Sequence, residues 1–229
     1  MLNQLKKELS KLENREKSKI LSRFFKTGKG QYGEGDIFLG ITVPQQRKIA
    51  KEFSNLTLKD LQELISSRIH EYRLISLLIL IIKYKNSKQE IFNFYLKNTK
   101  NINNWDLVDL SAPNILGNYL IQKDKSILYK LAKSNDLWEK RIAILSTFEF
   151  IKNNEFEDTL KISEILLSDK HDLIHKAVGW MLREIGKRNQ EIEEKFLKEH
   201  YKKMPRTMLR YAIEKFEKDK REQYLENSI

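Results

Sequence analysis

Trp105 and Asp109, in the segment NNWDLVD, are the residues whose types and spacing best suit chemistry. A helix turns about every 3.6 residues, so positions four apart are neighbours on one helical face. The chain carries 43 Lys and Arg against 32 Asp and Glu, a net charge of +11. A carboxylate beside an aromatic ring would therefore be a spot of negative charge in a positive field. Such a pair suits chemistry on an electron-poor sugar or base in a nucleic acid.

A second acid in the same segment, Asp106, has to be distinguished from Asp109. If Asn103 or Asn104 caps this helix, Asp106 lies in the first turn, where an acidic residue complements the helix dipole. Asp109 lies one turn later, where the dipole explains less. Two interpretations of Asp109 stay open: an ion pair with a Lys or Arg of a neighbouring repeat, or catalysis.

The composition narrows the class of protein. A basic balance with a pI of 9.5 favours polyanionic partners, and nucleic acid is the default. The absence of cysteine excludes thiol catalysis and thiolate metal sites, as expected of a protein in the reducing cytoplasm. With 229 residues, 40% of them hydrophobic, the chain can bury a sizeable core, and we predict one continuous domain over residues 1–229.

The longest apolar run, LISLLILII over residues 74–82, predicts a buried core helix. It is far shorter than the ~20 residues that cross a bilayer. The N-terminus shows no apolar h-region after its lysines, so we expect neither a signal peptide nor a membrane partner.

The chain is predicted to be all-helical. Only three prolines and eight glycines occur, and five of the glycines lie between Gly28 and Gly40. Leucines at three- and four-residue spacing predict an amphipathic first helix, and Thr42 with Pro44, and later Pro205, mark helix starts.

The apolar helices form a weak internal repeat. When they are aligned, the steps between equivalent positions are 36, 32, 35 and 31 residues, and these positions are Arg73, Asp109, Arg141, Lys176 and Thr207. This period predicts a helical solenoid, and the polar residues among the aligned positions are predicted to line its concave groove.

Two motifs do not carry chemistry. The glycine cluster GKGQYGEGD lacks the GK[ST] ending of a phosphate-binding loop, so a flexible connection between helices is predicted. His171 and His175, in HDLIH, resemble a zinc-binding helix, but Asp replaces the Glu that a metalloprotease needs and no third ligand is evident. No metal is expected.

Several cations are candidates for DNA contact. Lys176, Trp180 and Arg183 share one helical face, where the ring is either a core residue or a contact to sugar or base. Arg141 is suited to bidentate phosphate contact. A basic C-terminal patch is either solvated surface or a backbone contact, which we favour; its members are Lys198, Lys202, Lys203, Arg206 and Arg210.

Five segments together resemble the DNA alkylation repair family of HEAT-like-repeat glycosylases, the AlkD-like proteins. They are YGEGDIFLGITVPQQRKIAKEF, NNWDLVDLSAPNILG, LWEKRIAILSTFEFI, KAVGWMLREIGK and MPRTMLRYAIEKF, in the family's order. WDLVD and GWMLRE are distinctive, whereas the apolar helices are generic. The resemblance implies an all-α, right-handed superhelical solenoid of HEAT-like repeats that removes cationic alkylated bases such as 7-methylguanine and 3-methyladenine in base excision repair.

The resemblance also implies roles for single residues. The family's catalytic aspartate falls on Asp109, its two sugar-facing tryptophans on Trp105 and Trp180, and its backbone-gripping arginines on Arg141 and Arg183. The implied partner is duplex DNA with alkylated bases, bound by a monomer without an obligate protein partner or a cofactor. No Lys stands out as a Schiff-base nucleophile, so base release without strand cleavage is expected. The alternatives are a non-catalytic module that binds branched or damaged DNA, and a protein-binding scaffold.

Overall fold

The computed structural model describes residues 1–229 and is all-helical, without strands, as predicted. An isolated parallel bridge joins Ile37 to Ile69. The chain forms two compact units, Met1–Ser111 and Ala112–Ile229. None of the helices has the length and the hydropathy that a membrane-spanning helix requires. The expectation of one continuous domain stays a prediction.

Helix α5 is the centre of the first unit. The helices of this unit are α1 (Leu2–Lys11), α2 (Arg15–Phe24), α3 (Val43–Glu52), α4 (Leu58–Ile65), α5 (His70–Tyr84), α6 (Lys88–Lys97), a 3-10 turn (Thr99–Asn101) and α7 (Trp105–Ala112), which ends one residue past it. Helix α5 packs against α3, α4 and α6. The predicted core helix is confirmed over Leu74–Leu80, where every residue is buried, whereas Ile82 at the end of the predicted run is 41% exposed.

Local signals set the helix starts. The helix start predicted at Thr42 and Pro44 is confirmed: Thr42 caps α3, and Pro44 lies in its first turn. Thr42 and Gln45 also form a capping box there. In α1, Leu5 and Leu9 are completely buried while the residues between them are partly or fully exposed, which confirms the amphipathic first helix.

The glycine-rich connection between α2 and α3 contains several turns that depend on glycine. Gly30, Gly35 and Gly40 all have positive φ, between 74° and 86°, a conformation that glycine adopts without strain. A Cβ on Gly40 would collide with the backbone of Asn14 and Ser18 at the start of α2. The predicted connection between helices is therefore present, and at Gly40 it packs closely on the start of α2.

The second unit is a succession of packed helical hairpins. Its elements are a π turn (Pro113–Gly117), α8 (Asn118–Leu120), α9 (Ser126–Ala132), α10 (Leu137–Ser146), α11 (Phe148–Lys152), α12 (Glu157–Leu166), α13 (Asp172–Gly186), α14 (Gln190–His200), α15 (Arg206–Ala212), a 3-10 turn (Ile213–Lys215) and α16 (Lys218–Glu226). Helix α10 packs against α9, α12 and α13, and α13 packs against α14 and α15. Each hairpin thus buries its apolar face on its neighbours in chain order, the packing expected of helical repeats.

Candidate functional site

Trp105 and Asp109 lie one turn apart on α7. Trp105 is the first residue of this helix, and its backbone N–H donates to Asn104 Oδ1 at 2.9 Å. Asn104 is completely buried, so the start of the helix is fixed from within the unit. Both Trp105 and Asp109 are half-buried, which leaves each side chain partly accessible. The predicted helical placement of the pair is confirmed.

The ring of Trp105 is held by two phenylalanines. It stacks on Phe25 with a centroid separation of 5.2 Å and an interplanar angle of 15°. Phe24 meets it edge-on at 5.9 Å and is itself 61% exposed. Offset stacking and edge contacts are the favoured arrangements of aromatic pairs. One face of the indole is therefore covered, and its orientation is set by the residues that end α2.

The stack continues into the unit and ends on a histidine. Phe25 stacks on Phe38 at 4.9 Å, and Phe38 stacks on the His70 ring at 4.5 Å. Beside these rings lies an apolar cavity of about 160 Å³ that reaches His70 and Asp106. A line of packed rings thus joins the first residue of α5 to the first residue of α7.

His70 is the centre of a buried ionic network. Its Nε2 lies 2.8 Å from Asp106 Oδ2 and its Nδ1 lies 3.4 Å from Asp36 Oδ2. Asp36 also accepts a hydrogen bond of 2.6 Å from Arg73 Nη2. The side chains of His70, Asp36 and Arg73 are each at most 4% exposed. Asp106 does lie in the first turn of α7, but its contact with His70 corrects the view that the helix dipole alone explains it.

The charges of this network support one another. Burial opposes charge on His70, but the carboxylates of Asp106 and Asp36 outweigh it and raise the pKa of His70 above its usual value. Burial likewise acts to raise the pKa of Asp36, yet His70 and Arg73 together hold that pKa below its usual value. For Arg73, burial prevails and lowers the pKa. The network therefore favours a charged His70 between two carboxylates.

Arg73 and its neighbour Glu71 are internal. Arg73 is 3% exposed and uses its guanidinium on Asp36 and on the carbonyl of Ser67. This burial corrects the expectation that Arg73 lines a groove for DNA. Glu71, 1% exposed, accepts backbone hydrogen bonds from Leu39, Gly40 and Ile41. The glycine-rich connection thus does cradle an anion, namely a carboxylate of the same chain.

Asp109 places its charge within electrostatic reach of the buried Tyr95. Burial raises the pKa of the Tyr95 hydroxyl, and the negative charge of Asp109 adds to this effect. The same hydroxyl is 2.9 Å from Ser111 Oγ, near the end of the same helix as Asp109. Tyr95 is completely buried, so its contact with Ser111 joins the end of α7 to the core of the unit.

In the second unit, Trp180 and Arg183 each contact an acidic side chain. Trp180 Nε1 donates to Glu184 Oε1 at 3.1 Å, and its ring lies 5.9 Å from that of Phe148. Arg183 pairs with Glu214. Both tryptophan and arginine are partly accessible, so neither is a core residue. Sequence reasoning missed the partner of Arg183, because Glu214 is 31 residues away and only the packing of α13 on the 3-10 turn after α15 joins them.

The remaining predicted cations fall into two groups. Arg141 is 5% exposed and donates from Nη1 to the carbonyl of Leu173 at 2.5 Å, so part of its guanidinium is committed inside the unit. The others lie at the surface: Lys176, 39% exposed and 2.7 Å from Asp172, and Lys198, Lys202, Lys203, Arg206 and Arg210.

The two histidines of HDLIH have structural contacts. His171 Nδ1 caps α13 by accepting from the backbone N–H of Leu173, and His175 Nε2 lies 2.5 Å from the carbonyl oxygen of Asp169. No group of three or more His, Cys, Asp or Glu side chains is arranged to hold a metal ion.

Two solved structures share this all-helical architecture. One is a predicted DNA alkylation repair enzyme from Enterococcus faecalis, with a TM-score of 0.70, 19% identity, and coverage of 90% of this chain and 97% of that one. The other is AlkD2 from Streptococcus mutans, with a TM-score of 0.58, 18% identity, and coverage of 95% and 97%. At these identities the likeness shows the fold, that of the AlkD-type helical-repeat proteins.

The sequence itself defines the family. Residues 5–216 match the family model of the DNA alkylation repair enzymes. The chain therefore belongs to the DNA alkylation repair enzyme family. This membership indicates a role in the repair of alkylation damage in DNA. A comparison with curated protein sequences gives no match.

Proposed function

We propose that this protein is a monofunctional DNA glycosylase that excises cationic N-alkylated purines, such as 7-methylguanine and 3-methyladenine, from duplex DNA. The observation that carries the proposal is the pair on α7: a half-buried carboxylate, Asp109, one turn from a tryptophan whose ring is held by Phe24 and Phe25. In a member of a DNA repair family, this is a suitable arrangement for stabilising a cation.

The chemistry requires little more than that stabilisation. An N-alkylated purine already carries positive charge and leaves as a neutral base, so cleavage needs no strong general acid and leaves an oxocarbenium-like sugar. A carboxylate ~4 Å from the cation contributes roughly 4 kcal/mol at an effective dielectric constant of 20, about a thousandfold in rate. We assign this role, and the orientation of the attacking water, to Asp109.

The two tryptophans contribute electron-rich faces. The ring of Trp105 is covered by Phe25 on one face, so it can present the other to a developing cation at little entropic cost. Trp180 is proposed to contact the DNA from α13 of the second unit, where its N–H is already satisfied by Glu184. The residues proposed to bind the DNA backbone are Arg183, Lys176, Lys202, Lys203, Arg206 and Arg210, all of them at least partly exposed. Arg141 is not among them, because it is buried as Arg73 is and donates to the carbonyl of Leu173.

The proposal is tested by incubating the protein with duplex DNA that contains 7-methylguanine and measuring the freed base. Wild-type protein is expected to release it, Asp109→Asn to release it about a thousandfold more slowly, and Trp180→Ala to be impaired. Asp219→Asn, the same change at an exposed residue of α16, is the control and should match wild type.

Two results would contradict the proposal. Equal release by wild type and Asp109→Asn would exclude the role of the carboxylate. Binding of damaged DNA by both proteins, with no base released by either, would instead indicate the non-catalytic DNA-binding module.

A further inference from the structure

His70 is placed to control helix α7 without being part of it. It is the first residue of α5, it is 2% exposed, and both of its ring nitrogens face carboxylates. One of these carboxylates belongs to Asp106, which is next to Trp105 in the chain and three residues before Asp109. The contact is therefore made in the first turn of α7, between the two proposed reactive residues in the chain.

Two separate links connect His70 with α7. The first is ionic, from Nε2 to Asp106 at 2.8 Å. The second consists of stacked rings, from His70 through Phe38 and Phe25 to Trp105, with centroid separations of 4.5, 4.9 and 5.2 Å. A change at His70 can therefore alter the start of α7 in two ways: it can move Asp106, and it can tilt the indole ring of Trp105.

We infer that His70 is a positioning residue for the proposed reaction: by binding Asp106 and ending the stack under Trp105, it sets the orientation of Trp105 and Asp109 on α7. The inference rests on the proposed glycosylase function. It does not require His70 to touch DNA, and the burial of His70 agrees with that.

The contacts that His70 makes with its surroundings depend on whether its ring is protonated. The charged groups that face it are Asp36 from the connection between α2 and α3, Arg73 from α5 itself, and Asp106 from α7. Phe25 and Phe38 cover its ring. In the protonated state His70 donates to both carboxylates at once, whereas a neutral ring can donate to only one of them. Loss of the proton must therefore release one contact, at Asp36 or at Asp106.

The charge on His70 also matters for Asp109. Asp106 and Asp109 lie on one helix, three residues apart and hence on neighbouring positions of its surface. A cationic His70 offsets the charge of Asp106 through their direct contact. Removing that cation would weaken the compensation of the Asp106 charge and so change the local field that the proposed reaction uses.

The test combines kinetics with a direct view of the indole. Single-turnover base release and DNA affinity are measured from pH 5 to pH 9 for wild type, His70→Phe and Asp106→Asn. In parallel, the protein is labelled with 5-fluorotryptophan, whose three resonances correspond to Trp105, Trp138 and Trp180, and the Trp105 resonance is followed over the same pH range. Ser76→Ala is the control, because it removes a buried hydrogen bond from α5 to Leu61 and leaves the network intact.

We expect the Trp105 resonance and the rate of base release in wild type to change with a common inflection above the usual histidine pKa, the rate falling as pH rises. In Asp106→Asn the inflection should move to lower pH, because one of the carboxylates that hold the proton is gone. His70→Phe keeps an aromatic ring in the stack but should lose the inflection and release base roughly 10- to 100-fold more slowly, with unchanged DNA affinity. Ser76→Ala should behave as wild type.

A wild-type rate in folded His70→Phe and Asp106→Asn, or a Trp105 resonance without a titration, would overturn the inference. Should His70→Phe fail to fold, Asp106→Asn carries the test. If wild type releases no base at all, the proposed function fails; the Trp105 titration then decides by itself whether His70 orients this helix.

Discussion

At the scale of single residues, the acidic side chains inside the protein are of two kinds, ionised and protonated. Asp36, Glu71 and Asp106 are charged partners of cations or backbone amides. Glu193 differs from them, because it is 1% exposed and its Oε1 has no hydrogen-bond partner. Burial, assisted by the charge of Glu194 and opposed by Arg183, raises the pKa of Glu193 to about 9. It is therefore a protonated acid in the folded protein at neutral pH.

This group makes stability depend on pH. The unfolded chain ionises at the ordinary pKa of 4.5 and the folded protein at about 9, so the contribution of Glu193 is fully present below the lower value and is lost as pH rises to the upper one. Glu193→Gln should raise the free energy of unfolding at pH 9, by roughly 1–3 kcal/mol. Urea unfolding at pH 5 and pH 9 measures the free energy of unfolding of each variant. The control is Glu191→Gln, which changes an exposed acid of the same helix. An equal pH dependence in Glu193→Gln and wild type would contradict the assignment.

At the scale of elements, the sequence was informative where the signals were local. The spacing of Trp105 and Asp109, the helix start at Thr42 and Pro44 and the apolar run of α5 each depend on neighbouring residues, and the sequence predicts each of them. The network around His70 was not, because Asp36 and Asp106 are 34 and 36 residues from His70 in the chain. Arg73 was misplaced for a related reason. Its repeat position suggested a groove, but a carboxylate from the glycine-rich connection neutralises it inside the unit.

The glycine-rich connection offers a test at the same scale. Gly40 combines a φ of 84° with close packing on the start of α2, whereas Gly30 has a φ of 74° and nothing within 4 Å of the position of a Cβ. Gly40→Ala should therefore destabilise the protein by more than ~2 kcal/mol and Gly30→Ala by about 1 kcal/mol, the cost of the backbone conformation alone. Equilibrium urea unfolding compares the two variants. Equal losses of stability would show that the packing of Gly40 does not matter.

At the scale of the whole molecule, the net charge of +11 predicts DNA binding that weakens steeply with salt. If Lys202 and Lys203 each contact a phosphate, their joint replacement by alanine should reduce the slope of log affinity against log salt by about 1.8, at ~0.9 per contact. The rate of base release at saturating protein should remain that of wild type. Fluorescence anisotropy at several salt concentrations measures the slope. The control is the double variant Lys85→Ala/Lys97→Ala, which has the same net charge as the Lys202→Ala/Lys203→Ala variant. An unchanged slope would exclude the two lysines from the interface.

The central claim concerns the carboxylate of Asp109, and single-turnover release of 7-methylguanine at saturating protein tests it most directly, because DNA affinity does not enter the rate. We expect Asp109→Asn to bind the DNA as tightly as wild type or more tightly, since it lacks a repulsive charge, and to release the base about a thousandfold more slowly. A rate in Asp109→Asn equal to that of wild type would contradict the claim.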